Sequence, residues 1–251
     1  MALLEVHGLV KRFMGVTAVD GVDLRVERGE LVSLIGPNGS GKTTLFNCVT
    51  GFAAADGGRV LFQERDVTGA PPHRIARLGL GRTFQQVSVF GRLSALANLL
   101  VFLQQHQEER LLARLLRTPA LRRLERQAVE RAHTLLALVG LGDKATAPAG
   151  SLSYGQRKLL AFAAALMSDP ELLLLDEPAA AVNPTMIEQM KAHILALHRQ
   201  GKTVLLVEHN MDVVMDISQR VVVLDHGQKI AEGPPAAIRR DPRVIEAYFG
   251  R

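Results

Sequence analysis

Gly36-Pro-Asn38-Gly39-Ser40-Gly41-Lys42-Thr43-Thr44 constrains the fold more than any other stretch of the chain. It fits the pattern G-x-x-x-x-G-K-[ST], follows the apolar run LVSLI at 31–35, and leads into TTLFNCVT, which reads as helix. Glycines let backbone amides close around phosphate oxygens; Lys42 adds a point charge, and the Thr43 hydroxyl can ligate Mg²⁺. By average residue usage such a match arises by chance in about 1% of chains this long, and the flanking strand and helix lower that further. A strand, a phosphate loop and a helix in that order fit the α/β fold with a parallel sheet and crossovers that the later alternation of strand and helix argues.

The rest of the chain agrees with that frame. Before the loop, Leu4 to Leu9, VDLRVE at 22–27 and, after it, RVLF at 59–62 read as strands separated by glycine-bearing turns. From Ser94 to Leu141 the pattern is helical, broken at Thr118-Pro119. Strand and helix then alternate through LLLLD at 172–176, a helix from Asn183-Pro184, TVLLVEH at 203–209, a short helix and RVVVLD at 220–225. Asp225-His226-Gly227 is expected to turn a hairpin into QKIAEG, and DPRVIEAYFG to form a last short helix.

Composition excludes several classes. Hydrophobic content of 47% is ample for a large core in 251 residues. The longest uncharged apolar run, Leu159 to Met167, is half the length needed to cross a bilayer, and no signal-type segment develops before Glu5, so a chain that neither spans a membrane nor is exported is expected. Cys48 stands alone, which rules out an internal disulfide and suits a small buried hydrophobe in a reducing compartment. Between Arg110 and Arg131 seven arginines face only Glu125 and Glu130, an excess equal to the chain's whole net charge of +5. No aromatic residue is interleaved there, so a solvated or membrane-proximal helical face is expected and no nucleic-acid partner.

Three further stretches carry chemistry. LLLLDEP ends an apolar strand with two carboxylates: Asp176 can support Mg²⁺, and Glu177 stands where a water attacking a γ-phosphate needs a base. His209 closes TVLLVEH at the carboxyl end of another core strand, the edge at which open α/β sheets bind ligands. Ser153-Tyr154-Gly155-Gln156 opens a helix whose amides could hold a second anion.

GPNGSGKTT, Gln85 in GRTFQQ, LSYGQRK, LLLLDEP and His209 in VEHNM occur in the order and spacing of the ATP-binding cassette of ABC transporters, and the resemblance covers nearly the whole chain. Within that family the sequence is most similar to the first of the two ATPase subunits of the branched-chain amino acid importers, through GRTFQ, TPALRR, PAGSLSYGQ, DEPAAAVNP, VEHNMDVVMDISQRVVVLDHG and VIEAYFG. The resemblance implies a single P-loop NTPase cassette over residues 1–251: a RecA-like core with an N-terminal antiparallel β subdomain (1–85 and 170–251) and an α-helical signature subdomain (86–169). It implies ATP and Mg²⁺ as cofactors. Phe13 would stack on adenine; Gly36, Asn38, Gly39, Ser40, Gly41, Lys42, Thr43 and Thr44 would hold the phosphates; Thr43, Gln85 and Asp176 would serve the metal. Glu177 would be the general base, with His209 and Gln85 at the γ-phosphate and the attacking water. Ser153, Gly155 and Gln156 would bind ATP held by a partner chain.

The implied partners are therefore a second ABC ATPase subunit, in a heterodimer or alternatively a homodimer, two membrane permease subunits, and indirectly an extracytoplasmic solute-binding protein. The implied location is peripheral, on the cytoplasmic face of the inner membrane. Related importers of urea or aromatic acids, lipopolysaccharide export, and non-transport ATPases of DNA repair or translation are the alternatives. Three departures from the family pattern stand out: Tyr154 in place of glycine in the signature, Asn183 in place of aspartate in the D-loop, and Ala181 in place of a glycine. If position 181 needs φ > 0, the loop is expected to shift.

Overall fold

The computed structural model describes residues 1–83, 89–104 and 119–250, in two compact units: Met1–Arg82 with Glu171–Arg251, and Thr83–Pro170. The first unit contains two sheets. Strands β1 (Ala2–Phe13), β2 (Val16–Glu27), β4 (Gly57–Phe62) and β5 (Arg65–Asp66) form an antiparallel sheet in the order β2-β1-β4-β5. The other sheet runs β10 (Gln228–Gly233), β9 (Arg220–Asp225), β3 (Leu31–Ile35), β8 (Thr203–Val207), β7 (Leu172–Asp176) and β6 (Leu80–Arg82). All its pairs are parallel except β9 with β10, which His226 and Gly227, both at positive φ, join in a tight turn.

The burial of each strand follows its sequence pattern. β3, β7 and β8 are apolar runs buried along their full length, as parallel strands covered on both faces must be. β2 alternates instead, burying Val22, Leu24 and Val26 and exposing the residues between them. Alternation also divides β9 between two cores. Val222 and Leu224 join the antiparallel sheet's Leu4, Val6 and Leu24 around Phe46, whereas Val221 and Val223 join Ile35, Val214, Ile238 and Val244 on the opposite face.

Helices α1 (Lys42–Val49) and α2 (Pro72–Arg77) lie between β3 and β6 in the chain. In the second unit, α3 (Ala95–Gln104), α4 (Pro119–Leu138) and α5 (Tyr154–Ala165) pack on one another. Asn98, buried in α3, accepts the Phe90 amide and donates to the carbonyls of Phe90, Leu93 and Ser94, which pins the segment entering that helix. Of the seven arginines in the basic run, Arg122, Arg123 and Arg126 are exposed on α4. Arg131 donates to the carbonyls of Leu166 and Met167 beyond the end of α5, and the other three fall outside the described residues.

Back in the first unit, α6 (Pro184–Arg199) connects β7 to β8, and α7 (Met211–Ile217) connects β8 to β9. β8 and β9 flank β3 on opposite sides, so the chain order reverses about β3, and the phosphate loop leaves from that switch point. Helices α8 (Pro235–Ile238) and α9 (Pro242–Phe249) end the chain, with Val244 and Tyr248 packed on the core that contains Ile35. Cys48 is buried in α1. No helix among the described residues is long and apolar enough to cross a membrane.

Candidate active site

The phosphate loop joins the carboxyl end of β3 to α1, and its glycines are required by close approach as well as by backbone angle. A Cβ at Gly36 would lie 2.1 Å from the Leu224 carbonyl oxygen, and one at Gly41 2.3 Å from that of Ala18. Both residues have positive φ, 152° and 100°. Ser40 is buried while Asn38 and Gly39 are exposed. Lys42 is buried, and its Nζ donates to the carbonyls of Gly36 (2.8 Å) and Pro37 (2.9 Å) and to Ser40 Oγ (3.3 Å). Burial pushes the Lys42 ammonium below the usual lysine range, and the charges of Glu177 and Asp176 oppose that shift.

The first turn of α1 carries no acidic residue and no side-chain cap, which leaves its amides to an anion. Thr43 is exposed there and Thr44 half-buried. Among the described residues no group of three His, Cys, Asp or Glu could hold a metal. A hydroxyl at Thr43 and a carboxylate at Asp176 suit a small, hard cation that keeps oxygen ligands from substrate and water, so the residues present fit Mg²⁺. Phe13, at the end of β1, is 48% exposed with Lys11 Nζ 5.0 Å from its ring centroid, so it is a surface aromatic rather than a core one.

Asp176 and Glu177 end β7 beside β8. Asp176 pairs with Val207 in the ladder, and the Glu177 amide continues the contact by donating to the Val207 carbonyl at 2.9 Å. Glu177 itself has φ 50°, the left-handed region, at a cost of about 1–2 kcal/mol for a residue with a Cβ. That turn aims its carboxylate at His209, whose Nε2 lies 2.5 Å from Glu177 Oε1. With Glu177 ionised, this contact needs the proton on Nε2.

Two residues that sequence reasoning missed hold this pair of strand ends. Arg82, the last residue of β6, donates to Asn47 Oδ1 (2.8 Å), Thr50 Oγ1 (2.8 Å) and Asp176 Oδ2 (3.1 Å). The rings of Phe46 and Phe52 lie 5.7 and 5.6 Å from its guanidinium carbon. Arg82 and Asp176 side chains are only 6% and 2% exposed. Burial pushes the Asp176 carboxyl above its ordinary range, while Arg82's hydrogen bond and charge pull it back down. The second is Glu208, buried between His209 and β8, which accepts amide hydrogens from Ala179 (2.7 Å), His209 (2.9 Å) and Asn210 (3.2 Å). Both stood inside GRTFQQ and VEHNM, where only a partner distant in sequence gives them meaning.

Beyond Glu177, Ala181 takes φ 57°, so the left-handed angle is held with a Cβ in place and that residue bears the strain. The Asn183 side chain accepts the Met186 amide at 2.9 Å and caps α6, with Pro184 at its first position. In the second unit Ser153 and Gln156 form a reciprocal capping box at the start of α5. Ser153 Oγ accepts the Gln156 amide (3.2 Å), and Gln156 Oε1 accepts the Ser153 amide (3.1 Å). The Ser153 hydroxyl keeps its own hydrogen to donate. Gly155 is half-buried, and Tyr154, 41% exposed, has Lys158 Nζ 5.7 Å from its ring centroid. Gln85 lies outside the described residues. The structure thus brings Lys42, Asp176, Glu177 and His209 together on one unit, with Ser153, Gly155 and Gln156 on the other.

Residues 19–180 match the profile of the ABC transporter family, and residues 228–251 match that of the branched-chain amino acid ATP-binding cassette transporter. The chain is 47% identical to the high-affinity branched-chain amino acid transport ATP-binding protein BraF of Pseudomonas aeruginosa, over 99% of this chain and 98% of that one. It is 44% identical to LivG, of the same description, from Escherichia coli, with the same coverage. A crystal structure of an ATP-binding cassette from an ABC transporter in its ADP conformation superposes with a TM-score of 0.86 at 35% identity, covering both chains fully. A dimeric cassette in a post-hydrolysis state bound to ADP and Pi gives 0.78 at 25% identity, over 92% of this chain and 98% of that one.

Three substitutions test the local energetics. Arg82→Met leaves Asp176 buried without its arginine and should lower unfolding free energy by about 3 kcal/mol, read by urea denaturation; Asp176→Asn in the same chain should recover part of the loss. Ala181→Gly removes the penalty of a Cβ at positive φ, offset by added chain entropy, so unfolding free energy should rise by up to about 1 kcal/mol.

Proposed function

Because this chain belongs to the ABC transporter family, we propose that it is the ATP-hydrolysing subunit of a branched-chain amino acid importer, working on a separate membrane permease. The observation that carries the catalytic part is the 2.5 Å contact of His209 with Glu177 at adjoining strand ends. The cargo assignment is carried by identity of 44–47% to branched-chain amino acid transport ATP-binding proteins over 99% of this chain, together with the matching terminal segment 228–251.

The chain's residues divide the work as follows. Phe13 offers its exposed ring to adenine. Amides of the loop after Pro37 and of the first turn of α1 would donate to the phosphates, and Lys42 would exchange its loop carbonyls for phosphate oxygens when ATP arrives. Thr43, Asp176 and Gln85 would hold Mg²⁺, which when bound would supply positive charge against the phosphates. Glu177 takes the proton of the attacking water, and His209 keeps the carboxylate oriented through Nε2.

Ser153, Gly155 and Gln156 serve a second cassette. The capping box uses the Ser153 and Gln156 amides and fixes the helix start, and the exposed Ser153 keeps a hydroxyl hydrogen suited to the γ-phosphate of ATP seated on another chain. Two cassettes closing on two ATP molecules and reopening after hydrolysis would move the permease, and the chain would work peripherally at the cytoplasmic side of the membrane. A heterodimer with a second, non-identical cassette is the arrangement proposed. Selection of the solute then rests with the permease and its binding protein, so reconstitution with both, followed by solute uptake, identifies the cargo.

Glu177→Gln should bind ATP within about twofold of the native affinity while turnover falls at least 100-fold, and with ATP it should accumulate a dimer on size exclusion. Near-normal steady-state hydrolysis would rule out the general base. Ser153→Arg should abolish hydrolysis in the assembled pair yet leave ATP affinity of the isolated chain unchanged; a large loss of affinity there contradicts a role in trans.

A further inference from the structure

Glu208 is 2% exposed, and no ion pair reaches it among the described residues. A buried carboxylate without a cation is costly unless hydrogen bonds replace its hydration. Here backbone amides do so. Oε1 accepts from Ala179 at 2.7 Å, and Oε2 accepts from His209 at 2.9 Å and Asn210 at 3.2 Å. The three donors belong to two different segments. Ala179 is two residues beyond Glu177 on the continuation of β7, and the other two follow β8 directly.

The position of this bridge is informative. Regular pairing of β7 with β8 ends at Asp176 and Val207, and the Glu177 amide makes one last bond to the Val207 carbonyl. Past that point the segments have no ladder, yet there Glu177 must hold φ 50° and His209 must stay 2.5 Å from it. We infer that Glu208 is a positioning residue for ATP hydrolysis: its carboxylate ties the Ala179 segment to the His209 segment and so keeps Glu177 and His209 in register.

Three features fit that role. Oε1 holds the segment that carries the strained Glu177, so relaxation of its φ is opposed from two residues away. Oε2 holds the amide of His209 itself and of Asn210, whose side chain caps α7 through the amides of Asp212 and Val213. Glu208 also stands at the root of the loop that runs from Glu177 to Asn183, so a displacement of that loop by a partner chain would be felt at His209 through one carboxylate.

The inference rests on the proposed roles of Glu177 and His209, and the test separates the two. Full-length Glu208→Gln and Glu208→Asp are compared with the native chain and with Glu177→Gln for kcat, KM for ATP, binding stoichiometry of a fluorescent ATP analogue, and melting temperature. The amide introduced by Glu208→Gln retains a single carbonyl oxygen, so it could not serve both segments. Aspartate keeps the charge and can reach the amides of its own turn, but falls one methylene short of Ala179. Both variants are expected to lose kcat by about 10- to 100-fold, with KM within about twofold and one analogue bound per chain, because neither touches the phosphate loop. A purely structural role would instead lower stoichiometry and melting temperature together. If Glu208→Gln does not fold, Glu208→Asp decides alone, and native kcat in Glu208→Asp overturns the bridge. Normal hydrolysis by Glu177→Gln overturns the reading of the site; a dead Glu177→Gln beside native-like Glu208 variants overturns only this inference.

Discussion

The parallel register of β7 with β8 is the constraint on which the catalytic face depends. Asp176 stands opposite Val207, and the Glu177 amide extends the ladder by one bond before the strands separate. A slip of one residue would reverse every side chain of a strand buried on both faces. Asp176 would then leave Arg82, and Glu177 would leave His209. The five buried residues of LLLLD and of TVLLV therefore do more than fill a core; their burial sets where two carboxylates emerge.

Around that register the protein buries several charged side chains. Lys42, Asp176, Glu177 and Glu208 are all buried, and Arg82 is nearly so. Apolar residues in their place would fold more easily, since a desolvated ion pair often does no better than a hydrophobic substitute. What these groups supply is orientation: Arg82 fixes one oxygen of Asp176, Lys42 waits on loop carbonyls, and backbone amides hold Glu208. Strain is placed in the same region, at Glu177 and Ala181, both left-handed without being glycine. Such strain persists only where surrounding bonds over-determine the backbone, and the Val207 carbonyl beside Glu177 is one of them.

Asn183 changes the meaning of one sequence feature. In sequence it is only a departure from aspartate, but in the fold its oxygen accepts the Met186 amide and starts α6. The neutral side chain thus has a local task that aspartate performs equally well, and capping explains why either residue would be kept at that position. Ala181 tells the opposite story: the backbone keeps the left-handed angle that glycine would adopt freely, and alanine bears the cost.

Local pattern was enough for much of this molecule. Apolar runs of the right length located β3, β7, β8 and β9, the D-H-G turn located the hairpin to β10, and the strand, glycine loop and helix around Lys42 announced a phosphate site, because each is a matter of short-range sterics and periodicity. Local pattern does not decide which way Phe13 faces, since an aromatic before a glycine turn can face either way, and only packing put its ring on the surface. Arg82 and Glu208 were invisible for a stronger reason. Arg82 meets Asp176 across 94 residues and Glu208 meets Ala179 across 29, and no spacing rule relates such pairs. Residue order and spacing were enough to say which groups could bind phosphate and move a proton. Which side chains hold those groups in place was settled only in the folded chain, because a buried charge acquires its partner when distant strands come into register.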